Sequence, residues 1–150
     1  IFVSLIKNKW LFNILYFWGF GGALNALLFP DIFHNFPLLI YSVFLSHSVI
    51  ILTVLYFIII EKYDISLKDL FISIFVIIIY AFFVFIINLI LGSNYLYLMK
   101  KPYFNPFLDI FDNFYRIGLL IMVIGLFIIL YLPFVIKRVL KRKYKMGSKS

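Results

Sequence analysis

The chain has no cysteine, which excludes disulfides, thiolate metal sites and a cysteine nucleophile from its 150 residues. Charge is scarce, at 13% of residues, and negative charge is scarcer, with six carboxylates against fourteen lysines and arginines. The carboxylates and two histidines are scattered, so no spacing reads as a metal-ligand cluster and no cofactor is implied. GxSxG elbows, P-loops, Rossmann glycine patterns and HExxH are all missing. No inverted repeat of the transporter kind is evident. A signal peptide with a small-residue cleavage site is also lacking. Because the chain starts at Ile1, with Lys7 and Lys9 only just ahead of the first apolar run, further residues are expected upstream.

What is abundant is apolar surface: 65% of residues are hydrophobic and the mean hydropathy is +1.11. A soluble domain needs polar residues to face water, and there are too few here to cover a globule. Several apolar stretches exceed the ~20 residues that cross a hydrocarbon core of ~30 Å. The expectation is an all-α, polytopic membrane protein. It forms a single helical membrane domain over 1–150, the C-terminal part of a larger bundle. Four spans are read at 10–29, 36–60, 70–91 and 117–136. Each is helical because a lone strand cannot satisfy its backbone in lipid.

Orientation follows from the loop cations. With four spans, both visible ends share a side. That side holds eleven of the fourteen cations: Lys7, Lys9, Lys62, Lys68, Lys137, Arg138, Lys141, Arg142, Lys143, Lys145 and Lys149. Only Lys100, Lys101 and Arg116 lie opposite, so both ends are expected in the cytoplasm. The basic stretch 137–150 reads as a tail that holds the fourth helix against anionic headgroups. No aromatic-interleaved pattern accompanies it, and no nucleic-acid partner is expected.

His47 stands in the middle of the second apolar run and is the one imidazole in a predicted span. Counting from Phe36 at ~1.5 Å per residue puts it roughly 15 Å deep, near the midplane. Imidazole changes charge near neutrality, and an ionisable group at that depth is usually tied to chemistry, transport or a specific partner. The alternative is a neutral ring bonded to a serine or a backbone carbonyl. Ser42, Ser46 and Thr53 form a narrow stripe beside it, and Ser46 and Ser48 flank it in sequence. Neighbours one apart on a helix diverge by about 100°, so neither serine is naturally placed to give its proton to the ring. His34 reads as a solvated or interfacial residue in a short loop.

In the first span Gly19/Ala23 and Gly22/Ala26 make two overlapping small-xxx-small patterns, suited to close packing against a partner helix or membrane subunit. Gly21 and Asn25 lie on another face, where Asn25 serves either as an interhelical hydrogen bonder or as a polar site residue. The long connection 92–116 breaks a pattern of short loops and gathers Asn94, Tyr95, Lys101, Asp109, Asp112 and Arg116 as candidate substrate-binding residues. A helix over 106–114 running into the fourth span would make Asp112 and Arg116 i, i+4 partners. Arg116 reads either as half of an ion pair or as a clamp for a phosphate or carboxylate headgroup.

The run from Tyr16 through Trp18-Gly19, Gly21-Gly22-Ala23-Leu24-Asn25-Ala26-Leu27 to Pro30-Asp31 resembles a signature of the bacterial YwaF-type integral membrane proteins. Phe44-Leu45-Ser46-His47, Gly92-Ser93-Asn94-Tyr95-Leu96-Tyr97-Leu98 with Lys101-Pro102, and Leu108-Asp109 are similar to further motifs of that family, in the same order over about 16–134. The family is related to the transmembrane protein 164 lipid acyltransferases and, more distantly, to androgen-induced membrane hydrolases. The resemblance implies a multi-pass protein of the bacterial cell membrane that acts on membrane lipids. It also implies that His47 matches an intramembrane catalytic histidine that works with a nucleophile on another helix; the family's upstream His-Leu-Cys motif has no counterpart here.

The leading expectation is therefore an intramembrane lipid acyltransferase or hydrolase. His47 is the general base, Asn25 and Asn94 polarise an acyl carbonyl, and Arg116 or Lys101 meets a lipid phosphate. A transporter or substrate-binding membrane subunit, with His47, Asn25 and Asn88 along a path, is the second. A non-catalytic subunit of a larger membrane complex, packed through the glycine face, is the third.

Overall fold

The computed structural model describes residues 8–28, 37–102 and 105–147, and among these every regular element is helical. Four helices are long and apolar enough to cross a membrane: Lys9–Leu28, Ile40–Ile59, Leu67–Leu91 and Asp112–Met146. His34, the Pro30-Asp31 closure and residue 29 lie outside the described residues. Many large apolar side chains are exposed, for example Phe75, Phe82 and Ile90 on the third span, as a lipid-facing surface requires.

The first span is built in three pieces. Helix α1 (Lys9–Ile14) starts where the Asn8 side chain accepts from the backbone N–H groups of Trp10 and Leu11 at 2.9 and 3.3 Å. A π-helical segment, Leu15–Phe20, follows, and α2 (Gly21–Leu28) completes the span. Widened turns of this kind are rare and often sit at functional sites.

Helix α3 covers Pro37–Ile59, with proline in the first turn, where its missing N–H leaves no intrahelical bond unmade. A short connection with Lys62 at positive φ leads to α4, Leu67–Leu91. The start of α4 is a capping box: Ser66 Oγ accepts from Asp69 N at 3.2 Å, and Asp69 Oδ2 accepts from Ser66 N at 2.8 Å. Its end is Gly92, at φ 62°, where a left-handed conformation favours glycine.

The 92–114 connection carries a 3-10 turn at Tyr95–Tyr97, a short helix α5 at Pro106–Asp109 and a second 3-10 turn at Asp112–Phe114. Helix α6 then runs for 33 residues, Tyr115–Gly147. The predicted continuous helix over 106–114 is therefore broken. Asp112, at φ 40°, takes the chain out of the helical region, and Gly118 allows the Phe111 ring to lie where a Cβ would overlap it. The fourth helix also extends through the basic tail rather than stopping at Lys137.

The core sits at one end of the bundle, here called the lower end. Phe12 and Phe17 from the first span, Val54 and Phe57 from α3, and Ile65 from the connection are fully buried. They pack with Leu70 of α4 and with Phe127, Leu130, Tyr131 and Phe134 of α6. The Phe12 ring lies 5.5 Å from Phe57 and meets Tyr63 edge-on at 4.9 Å. Polar ties close the same end. Asn13 Nδ2 donates to Asp69 Oδ1 at 2.7 Å, and Tyr16 OH donates to the Leu130 carbonyl at 2.6 Å. Arg138 donates to Tyr131 OH at 2.8 Å and to the Ile65 carbonyl, and lies 3.3 Å from Asp64.

Candidate functional site

At the upper end, where the 92–114 connection lies, the four spans line a partly open cavity of about 620 Å³. Its wall is mostly aliphatic and aromatic. Trp18 and Tyr80 form one side with ring centroids 5.3 Å apart, and Trp18 Nε1 donates to the Ser73 carbonyl at 3.3 Å. Gly22 faces the opening with nothing within 4 Å of where a Cβ would stand, so its lack of a side chain leaves that volume free. By contrast, a Cβ at Gly19 would meet Leu15 and Ile50, at Gly21 it would meet Leu126 and Leu130, and Ala23 is buried. The small residues of the first span thus serve both close packing and the cavity.

The polar groups of the wall are few: Asn25, Tyr97, Asn105 and Arg116 besides Tyr80. Leu96 and Tyr97 both adopt positive φ, at 56° and 55°, and both line the cavity. Such conformations are costly for non-glycine residues and persist where surrounding contacts hold them, commonly at binding sites.

Two asparagines hold this strained segment, and a third caps the helix that follows. Asn88 is 1% exposed; its Nδ2 donates to the Tyr95 carbonyl at 2.9 Å, and its Oδ1 accepts from Ser93 Oγ and Tyr95 N, each at 2.8 Å. Asn94 Nδ2 donates to the Lys100 carbonyl at 2.9 Å, and its Oδ1 accepts from Met99 N and Lys100 N at 2.9 and 3.0 Å. Asn105, 4% exposed, caps α5 by accepting from Leu108 N at 3.2 Å.

The candidate residues separate on this geometry. Asn25, half-buried, and Arg116 are brought to the cavity wall together. Arg116 Nε donates to the Leu98 carbonyl at 2.8 Å, and the guanidinium lies over the Phe85 and Tyr115 rings. It is therefore aimed by the loop and not by Asp112. Lys101 pairs with Asp109 in an exposed ion pair. The expectation that Asn94 polarises a carbonyl meets a different geometry: its amide is taken up by backbone groups of its own loop. Tyr95 gives its backbone to Asn88 and exposes its ring. Asp112 is exposed at the turn before α6. Asn88 does not lie with His47 and Asn25 on one path, because it is wholly engaged behind the loop.

His47 is half-buried on α3, outside the cavity wall but one turn below Val43, which lines it. The four-residue step between them is ~6 Å of rise. The His47 Nδ1 lies 2.7 Å from the Val43 carbonyl and 3.3 Å from Ser46 Oγ. A carbonyl only accepts, so a neutral ring making this short contact carries its proton on Nδ1 and offers Nε2 as the acceptor. Ser46 Oγ also donates to the Val43 carbonyl, at 3.0 Å. The serine thus comes within 3.3 Å of the ring but gives its proton to the Val43 carbonyl and not to the imidazole, in line with the helix geometry. Ser42 and Thr53 likewise donate to the carbonyls of Leu38 and Val49 at 2.8 Å.

Sequence reasoning did not single out Asn105. A signal was present: asparagine followed by proline is a helix start, with the cap and the first helical position in order. What the pattern cannot show is that this capping side chain faces a cavity. No group of three or more His, Cys, Asp or Glu side chains suited to a metal ion occurs among the described residues.

A family model described as the TMEM164 family matches residues 1–132. No curated protein and no solved structure matches the chain.

Proposed function

From the premise that the chain belongs to the TMEM164 family of multi-pass membrane proteins, we propose that it binds a membrane lipid in the upper cavity and transfers or hydrolyses one of its acyl esters. The observation that carries this reading is the cavity itself. It is lined by all four spans, is apolar along most of its wall, and carries one guanidinium and a few amides and hydroxyls among aliphatic and aromatic side chains. A membrane lipid has the matching chemistry, with a charged headgroup, ester oxygens and alkyl chains.

In this reading His47 is the general base. With Nδ1 held by the Val43 carbonyl, Nε2 takes the proton of an acyl-accepting hydroxyl, thiol or water. The freed lone pair forms the new bond to the ester carbonyl carbon. The old carbon–oxygen bond then breaks, and the departing lipid oxygen takes the proton back from Nε2. Arg116 holds the headgroup phosphate, and Asn25 contributes a second polar contact on the wall. The excess of Lys and Arg at the lower end supports placing both visible ends in the cytoplasm.

The test is turnover of a fluorescent phospholipid ester by the full-length protein in vesicles. His47→Ala and His47→Gln are expected to lower the rate at least ~100-fold, the usual contribution of a positioned general base, with insertion and thermal stability retained. Turnover unaffected by both substitutions would overturn the role of His47. The transport reading fares less well, because Asn25 alone of its three path residues reaches the cavity.

A further inference from the structure

The geometry points to Asn105 as the residue that recognises an ester carbonyl of the bound lipid and so distinguishes ester-linked from ether-linked glycerophospholipids. This rests on the lipid-binding reading of the cavity, which it deepens.

Three observations carry it. First, Asn105 is 4% exposed and lines the cavity, so its side chain is withdrawn from water but faces empty volume. Second, its two ends are unequally satisfied. The Oδ1 caps α5 through Leu108 N, whereas the described partner of Nδ2 is the Met122 sulfur at 3.8 Å. A thioether is a weak acceptor, and an amide nitrogen carries two N–H bonds, so one contact of this kind leaves donor capacity in an apolar wall. Third, the spacing along α6 is suitable. Met122 is six residues from Arg116, or ~9 Å of helix rise between the two backbone positions.

The amide therefore meets α6 further along the helix than the residue that carries the cation. A diester glycerophospholipid presents its groups in order, with the phosphate first, the acyl carbonyls next and the chains last. An ether-linked lipid of the same shape has no carbonyl to offer the amide, so the donor stays unpaired. Discrimination by a missing acceptor is large when the donor is buried.

The experiment compares dioleoyl phosphatidylglycerol with its dialkyl ether counterpart, titrated against the detergent-solubilised full chain, with dissociation constants read by native mass spectrometry. The wild-type protein is expected to prefer the diester by about five- to tenfold. Asn105→Ser keeps a good helix cap but shortens the side chain and removes the amide. It is expected to bind both lipids equally, at the affinity the wild type shows for the ether. Asn105→Asp keeps size and cap while turning the donor into an acceptor, and the same loss of preference is expected. Equal binding of the two lipids by the wild type, or a preference retained in both variants, would overturn the role of Asn105 and leave the cavity reading standing. If neither lipid binds the wild type, the cavity reading itself fails, and this inference with it.

Discussion

The two ends of this bundle are made from the same helices and the same kinds of apolar residue, yet one is packed solid and the other is hollow. At the lower end, aromatic rings from the first span, α3 and α6 interlock around Phe12 and Phe57, and Arg138 ties the 60–66 connection to α6. At the upper end the same helices line a cavity of about 620 Å³, and the connection above is held by asparagine side chains and by strained backbone at Leu96 and Tyr97. The contrast teaches a division of labour: stability is concentrated where the rings pack, which frees the other end to remain open to a ligand.

Breaking the packed end has the largest expected effect on stability. Phe12→Ala removes a fully buried ring and is expected to destabilise the protein by about 3 kcal/mol in a reversible denaturant titration in bicelles, far more than Asn25→Ala at the half-buried cavity wall. Arg138→Gln weakens the tie to Ile65, Tyr131 and Asp64; because the group is partly exposed, a loss of about 1 kcal/mol is expected in the same titration. The smallest change is expected for Lys101→Ala. The pair with Asp109 is solvent-exposed, and its removal is expected to shift stability by less than about 0.5 kcal/mol and to leave lipid turnover as it was. A larger effect from Lys101 than from Arg138 would reverse the proposed ranking of the two ends.

The spans were legible in the sequence because backbone hydrogen bonding in lipid leaves little choice but a helix over each long apolar run. Their bounds differ from the reading by a few residues, and the fourth differs most, because a helix does not need lipid to continue through Lys141–Lys145 once its hydrogen-bond ladder is running. The cavity was not legible. In a soluble helix the polar face marks the outside, but here residues facing lipid, such as Phe75, are as apolar as those facing inward, such as Phe127, so composition does not tell inside from outside. The asparagines show the same limit. Asn25, Asn88, Asn94 and Asn105 look alike in sequence, and only the fold separates two that hold a loop from two that face the cavity. His47 stands out in the sequence, but its tautomer depends on the Val43 carbonyl, which every helical residue possesses and no sequence advertises.

The central claim is that a lipid chain occupies the upper cavity. The most direct test is photolabelling with a phospholipid that carries a diazirine on its acyl chain, followed by mass-spectrometric mapping of the adducts. The wild-type protein is expected to be labelled on cavity residues such as Ile77 and Leu120. Gly22→Leu adds a side chain where a Cβ meets nothing within 4 Å, and it replaces a glycine inside a helix, so it is expected to reduce those adducts while stability holds or rises slightly. Adducts confined to outward-facing residues such as Phe75 and Ile90, and unaltered by Gly22→Leu, would contradict the account.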